Sequence, residues 1–435
     1  MKRSYIANVK FGERAKIQGF VENIRNKSKM AFIVVKDITG KMQITVIKEN
    51  CSPEFIAKID GLTLQSVITV EGEVVENSHV KLNGMELVPD TLEIESIAES
   101  LPIQVDKAID NESAIDLKMD YRWIDLRTDE NTLIFKVQTY MVKLMRDFLT
   151  EQNFLEIHSP KVIGAASESG ASVFELKYFD KKAYLAQSPQ FYKQMAMAGG
   201  FDRIFEIGPV FRAEKSYTNK HTTEYTSFDL EMSYIESFHD VMKIEEELLR
   251  YTLEKLNEKY GEQIKETFGL ELIVPVTPFP VIKLKDLYAE LEARYGYTVP
   301  DSEKDDLTTE AEQLSYKLST EKYGHEFLFV TDFDKNKRAF YHMRENDVPQ
   351  GYDLLWRGVE ITTGAQREHR YETLKKQADE IGLGEDVKFY LEFFRYGCPP
   401  HGGFAIGIDR LTMLLLGLHI KDAMFLFRGP NRLHP

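Results

Sequence analysis

Two strand-like runs, at 203–214 and 224–235, flank a polar loop at 215–223 and constrain the fold more than any other stretch of this sequence. Such a pair reads as an antiparallel hairpin, and alternation along each strand sorts its residues into two faces. On the second run Phe228, Leu230 and Met232 share one face, while Tyr225, Ser227, Asp229 and Glu231 share the other. On the first, Phe205, Ile207 and Phe211 oppose Glu206, Arg212 and Glu214. One side is core. The other is either a solvated face laced with ion pairs or a surface suited to stacking, phosphate pairing and metal binding.

Ahead of the hairpin, residues 1–100 read as five short strands at 15–25, 30–38, 41–48, 67–76 and 85–95, with a helix over 52–62 after the third. Ser52 and Pro53 suit the cap and first turn of that helix, and Phe55, Ile56 and Ile59 give it an apolar face. This order predicts a small closed barrel of the OB type, a fold that binds oligonucleotides. Charge bears on the same point. The chain carries a formal −15, yet residues 1–60 hold 12 Lys+Arg against 6 Asp+Glu, a balance of +6, which leaves 43 against 64, or −21, for residues 61–435. A bulk positive field is excluded as the means of binding nucleic acid, and any such surface should begin at the N-terminus.

Residues 101–130 mix Pro, Asp, Asn and Arg without periodicity and are expected to be a linker and hinge. From 131 to 435 a second, larger domain is expected. It opens with a helix over 134–152 and a strand over 154–163 broken by Pro160, and it includes a charged, helical insertion at 276–343. Cys51 and Cys398 lie far apart without metal-ligand spacing, so two reduced thiols are expected. The start, Met-Lys-Arg-Ser-Tyr-Ile-Ala, has no apolar signal core, and the apolar stretch at 411–420 is shorter than the ~20 residues of a membrane span. A cytoplasmic protein is the expectation.

Some chemistry is legible locally. Ser188 and Pro189 suit a helix cap and first turn, so that Gln190 and Lys193 project together and the lysine can pair with a substrate carboxylate. Gly402 and Gly403 permit close approach, and a helix beginning near Gly407 would aim Arg410 from its first turn toward an anion.

Three ordered segments then carry a resemblance. Phe-Arg-Ala-Glu at 211–214, continuing to Glu-Tyr-Thr-Ser-Phe-Asp-Leu-Glu-Met, resembles motif 2 of the class II aminoacyl-tRNA synthetases; Gly-Phe-Ala-Ile-Gly-Ile-Asp-Arg at 403–410 resembles their motif 3; the helix and strand ending at Pro160 resemble motif 1, their dimer-interface element. Gln-Ser-Pro-Gln-Phe-Tyr-Lys-Gln at 187–194 and Gly-Val-Glu-Ile-Thr-Thr-Gly-Ala-Gln-Arg-Glu-His-Arg at 358–370 are similar to the aspartyl-tRNA synthetases of the short archaeal and eukaryotic type. The resemblance implies an α+β architecture: an OB-type anticodon-binding barrel, then a catalytic domain whose antiparallel sheet is flanked by helices. It implies a homodimer that uses ATP and Mg²⁺ to form aspartyl-adenylate from L-aspartate and passes the aspartate to tRNA(Asp), with tRNA(Asn) an open second acceptor.

Carried over by position, the resemblance makes Glu168, Gln190 and Asp229 partners of the aspartate amino group, with Ser188 and Thr363 also at the amino acid. Lys193 and Arg367 would bind its side-chain carboxylate. Arg212 would bridge the substrate carboxylate and the α-phosphate, Tyr225 would stack on adenine near Glu214, and Arg410 would hold the γ-phosphate. Lys220, His221, Thr222 and Gly407 complete the ATP set. Glu360 and Thr363 would coordinate Mg²⁺, with Glu231 a further candidate that is otherwise a paired strand carboxylate. In the barrel Phe32 would stack on an anticodon base, Gln43 would hydrogen-bond one and Arg25 would assist, although an aromatic on a barrel strand is as readily core.

This sequence departs from the family pattern at Thr363, where Ser is usual, at Ala365 (Gly), at Lys220 (Arg) and at Phe20 (Trp). Asparaginyl- and lysyl-tRNA synthetases are the nearest alternatives, and Gln-Ser-Pro-Gln and Gln-Arg-Glu-His argue against both. An amide-forming relative that makes asparagine without RNA is opposed by the barrel. A non-catalytic tRNA-binding protein is opposed by the retention of Arg212, Glu360, Arg367 and Arg410.

Overall fold

The computed structural model describes residues 1–105, 113–164, 173–215 and 221–434. The chain divides into two units, Met1–Asp125 and Leu126–Pro435. The first is built on β1 (Arg14–Asn26), β2 (Met30–Lys36), β3 (Lys41–Ile47), α1 (Pro53–Asp60), β4 (Val67–Glu76) and β5 (Met85–Ser96). Alternation works as read: on β2, Ala31, Ile33 and Val35 are buried while Phe32 and Val34 face outward, half-buried. The strands close in the order β1-β2-β3-β5-β4, the OB-type barrel expected. Ser52 caps α1 by accepting from the Phe55 N–H at 3.2 Å.

The stretch read as an irregular linker contains two short helices, Ile115–Asp120 and Arg122–Asp125, the second carrying a buried ion pair between Arg122 and Asp125. Helices of one turn or so are too short for a 3.6-residue period to register.

The second unit begins with α2 (Asp129–Glu151), started by Thr128, whose Oγ1 accepts from the Asn131 N–H at 3.2 Å. In chain order there follow β6 (Leu155–Glu156), α3 (Gln190–Ala198), β7 (Arg203–Phe211), β8 (Glu224–Ser233), α4 (Phe238–Phe268), β9 (Val281–Lys283), α5 (Leu284–Tyr295), α6 (Thr309–Tyr323), β10 (Phe327–Thr331), β11 (Gly351–Trp356), β12 (Val359–Arg367), β13 (His401–Gly407) and α7 (Ile408–Leu416). The strands form one sheet ordered β9-β10-β11-β12-β13-β8-β7-β6. One face packs on α2, α4 and α7 through residues such as Val137, Leu144, Phe228, Leu248, Phe404 and Leu415. The other face is the floor of the site.

Two expectations are corrected here. The sheet is antiparallel at its centre but mixed overall, because β6 pairs with β7 and β9 with β10 in parallel. In both cases helical segments separate the partners, which is the connection a parallel pair requires. The segment at 276–343 is helical over α5 and α6 but also supplies β9 and β10 to the main sheet. Phe327–Thr331 is buried at every position, and an apolar run buried on both faces shows no period to distinguish strand from helix.

Candidate active site

The polar face of β8 is not solvated. Asp229 and Glu231 are almost wholly buried beneath α3. That helix starts at Gln190 rather than at Pro189: Pro189 is the cap residue, and Ser188 Oγ accepts from the Gln190 N–H at 3.3 Å. Gln190 and Lys193 then turn down together onto the sheet, both buried.

Lys193 Nζ lies 3.1 Å from Asp229 Oδ1 and 3.3 Å from Glu231 Oε2. It also donates to the carbonyls of Leu230 and Phe404 at 3.3 and 3.5 Å. Arg367, at the end of β12, donates from Nε to Glu231 Oε1 at 2.9 Å and from Nη2 to the Gly403 carbonyl at 2.9 Å and to Gln190 Oε1 at 3.3 Å. Its Nη1 reaches His342 Nε2 at 3.3 Å, and its guanidinium carbon lies 5.5 Å from the Tyr341 ring centroid. Burial raises the Glu231 carboxyl, but Arg367 and Lys193 overcome burial and hold it below the usual carboxylate range. Burial, reinforced by Arg367 and Arg338, pushes His342 well below its ordinary value, so its imidazole is neutral and can accept from Arg367.

Glu231 is therefore a counter-ion with both oxygens engaged. It is not among the residues that line the cavity, and its pairing is that of the strand carboxylate which was the alternative to a metal ligand. Its neighbours on the strand, which do line the cavity, retain their expected place.

That cavity, of ≈ 540 Å³, brings together the two halves of the site. Ser188, Gln190, Lys193, Asp229, Thr363 and Arg367 line it. Arg212, Glu214, His221, Thr222, Tyr225 and Arg410 also contribute, together with Glu360 and Gly407. The backbone of Arg212 extends the hairpin past β7 by donating to the Thr223 carbonyl at 2.9 Å, and its side chain lies 4.0 Å from Glu214 Oε1. Thr222 Oγ1 donates to the Arg428 carbonyl at 2.7 Å, fixing the end of the loop. Arg410, in the first turn of α7 as expected, donates from Nη1 to the Glu360 carbonyl at 3.0 Å. Thr363 Oγ1 donates to Glu360 Oε1 at 3.0 Å. Glu168 and Lys220 lie outside the described residues.

Several lining residues were not singled out in the sequence, four of them in one segment. Glu312 on α6 accepts from the Glu360 N–H at 3.3 Å. Arg338 makes a two-pronged pair with Asp353 on β11, at 2.8 and 2.6 Å. Tyr341 and His342 contact Arg367 as above. Glu312, Arg338, Tyr341 and His342 all fall in the segment read as an insertion, where charge was dense and gave no reason to single one out. Burial pushes the Cys398 thiol up to about 12, and both cysteines are free.

In the barrel, Arg25 and Phe32 are cross-strand partners, and the guanidinium carbon lies 5.2 Å from the ring centroid. Since Ala31, Ile33 and Val35 fill the core, Phe32 belongs to the outer face and is not a core residue. Gln43 Nε2 donates to Glu86 Oε2 and Thr45 Oγ1, each at 3.1 Å.

Comparison with known proteins gives the same two parts. The family described as tRNA synthetases class II (D, K and N) matches residues 114–428, and the OB-fold nucleic acid binding domain matches residues 15–95. The aspartate–tRNA(Asp/Asn) ligase of Aeropyrum pernix is 39% identical over 98% of this chain and 96% of its own length. The aspartate–tRNA(Asp) ligase of Pyrococcus horikoshii is 38% identical over 98% of this chain and 97% of its own. Among solved structures, asparaginyl-tRNA synthetase from Pyrococcus horikoshii, complexed with asparaginyl-adenylate, superposes with a TM-score of 0.91 at 31% identity and covers 100% of both chains.

Proposed function

Because this chain belongs to the class II tRNA synthetases of the D, K and N group, we propose that it activates L-aspartate with ATP and transfers it to tRNA(Asp). The choice of aspartate rests on the aspartate–tRNA ligases to which the chain is similar, and the state of Arg367 supports a side chain that offers it an oxygen. An arginine has five N–H donors. Nε, both donors of Nη2 and one of Nη1 have protein partners among the described residues, which leaves one Nη1 N–H for a substrate carboxylate oxygen in the cavity that Arg367 lines.

In this reading the amino-acid ammonium pairs with Asp229 and Gln190, and the side-chain carboxylate with Arg367 and, by exchange of partners, Lys193. Arg212 and Arg410 neutralise the repulsion between the α-carboxylate and the triphosphate, so that a carboxylate oxygen attacks the α-phosphorus in line and pyrophosphate leaves. Tyr225 supplies the stacking surface for adenine. The terminal ribose hydroxyl of the tRNA then attacks the mixed anhydride carbonyl and AMP leaves. The carboxylate of Glu360 and the hydroxyl of Thr363 are hard oxygen donors suited to Mg²⁺, which would take its remaining ligands from phosphate and water. Bound there, the ion supplies charge neutralisation at the phosphates. We further propose a homodimer through α2 and the segment ending at Pro160, anticodon recognition through Arg25, Phe32 and Gln43, and a cytoplasmic location. No helix among the described residues is long and apolar enough to cross a membrane.

One observation favours a second reading. Glu231 already supplies an anion to both buried cations, a balance that also suits a neutral side chain such as that of asparagine. Pyrophosphate exchange with each amino acid separates the two, and charging of purified tRNA(Asp) and tRNA(Asn) defines the acceptors. Exchange with asparagine alone would overturn the proposal.

A further inference from the structure

Where β13 leaves the sheet to become α7, a side chain takes over from the backbone. β8 and β13 pair as far as Ser227 opposite Gly407. One residue further along β8 the Thr226 N–H donates to Oδ2 of Asp409, at 3.0 Å. Asp409 stands in the first turn of α7, buried, where the helix dipole favours a carboxylate. Its other oxygen, Oδ1, lies 3.4 Å from Nε2 of Gln138 on α2. The same amide is 3.2 Å from Thr412 Oγ1 and 3.5 Å from the Ala423 carbonyl. A strand, a helix start and a second helix therefore meet on one carboxylate.

The residues beside these contacts are the ones the proposed function assigns to ATP. Tyr225 immediately precedes Thr226, and Arg410 immediately follows Asp409. The Tyr225 ring also passes over Gly407, where an added Cβ would lie 3.7 Å from it. We infer that Asp409 is a positioning residue for the nucleotide: it fixes the spacing between the ring that stacks on adenine and the guanidinium that holds the triphosphate, and Gln138 ties that spacing to α2. A carboxylate suits the task because it accepts from two directions at once, and a hydrogen bond from a backbone N–H to a charged oxygen is roughly twice as strong as a neutral one. The inference rests on the ATP reading of Tyr225 and Arg410.

The test measures ATP affinity by calorimetry and by aspartate-dependent pyrophosphate exchange, for the full chain and for Asp409→Ala, Asp409→Asn and Gln138→Leu. Calorimetry keeps the test independent of the amino acid, so that a failure of the aspartate assignment is distinguishable from a failure of the clamp. The alanine variant should weaken ATP binding about tenfold or more, the scale of a lost charge-assisted hydrogen bond, with the KM for aspartate unchanged. The asparagine variant should recover most of the loss, since its carbonyl still accepts from Thr226. Gln138→Leu should fall between and should decide the matter if the alanine variant does not fold. Equal loss of affinity for ATP and aspartate, an asparagine variant as impaired as alanine, or a Gln138→Leu enzyme with unchanged ATP affinity would overturn the inference.

Discussion

Arg367 and Glu231 stand on strands that are not neighbours, yet Nε meets Oε1 at 2.9 Å across the intervening strand β13. Gly403, on β13 between them, allows it: a Cβ there would lie 2.1 Å from the Leu230 carbonyl oxygen and 2.5 Å from Glu231 Oε2. The backbone contact cannot be relieved by a side-chain rotation. Gly403→Ala is expected to lower the thermal midpoint by several degrees or prevent soluble expression, since overpacking costs about 1–3 kcal/mol or more. Thermal unfolding followed by exchange activity checks this, and an alanine variant with the parent's midpoint would show that the strands accommodate the methyl.

Substitution of Arg367 itself should separate substrates. Breaking a buried pair costs about 3–5 kcal/mol, and the lower end is expected because Lys193 still faces Glu231. On the proposed function, Arg367→Leu should cut kcat/KM for aspartate by roughly a hundredfold, at about 1.36 kcal/mol per factor of ten, while the already poor reaction with asparagine hardly changes. Pyrophosphate exchange at saturating ATP measures both. Equal losses would assign the residue to the fold or to ATP.

The barrel face should be separable from the chemistry. Phe32→Ala removes a half-exposed ring, and a base stacked on such a ring is worth about 1–3 kcal/mol. Charging of tRNA(Asp) should drop about tenfold at limiting tRNA, with amino-acid activation untouched. Gln43→Ala should act in the same direction. Unchanged tRNA kinetics in both would place RNA elsewhere.

A pH effect on stability is expected behind the sheet. Burial pushes Glu245 on α4 up to about 8, and its Oε2 accepts from the Tyr352 hydroxyl at 2.6 Å. The folded state thus keeps a proton that the unfolded chain releases near the ordinary carboxyl value of 4.5. Stability from this group is complete below that value and is lost as pH rises through about 8, amounting to about 3 kcal/mol lost by pH 7. Glu245→Gln keeps the acceptor without the titration. Urea midpoints should match the parent near about pH 5 and exceed it near about pH 8; the same difference at both would remove Glu245 as the cause.

Much of this was legible in the sequence because the information was local. Alternation gave the barrel strands and the two faces of β7 and β8, and the Ser-Pro cap signal gave α1. Among the described residues the candidates that the motifs carry, from Arg212 to Arg410 and with Glu231 excepted, line one cavity. What stayed hidden depended on contacts across the chain. Glu231 and Asp229 looked alike on one strand face, and only the approach of Arg367 over Gly403 makes the first a counter-ion and leaves the second at the cavity. Glu312 and His342 sit in a segment whose dense charge masked them, and β10 was lost because a strand buried on both faces has no period to read.

The self-pairing of the pocket also sets what ionic strength can and cannot change. Lys193 and Arg367 are balanced by Asp229 and Glu231 before any ligand arrives, so an incoming amino acid meets local partners to trade with and little long-range field. Added salt screens fields over about 10 Å but leaves buried contacts largely intact. Amino-acid affinity should therefore stay flat from low to moderate salt while tRNA affinity falls steeply, because phosphate binding releases counterions. In such an enzyme the ionic medium governs how long the RNA stays and has little say in which amino acid it receives.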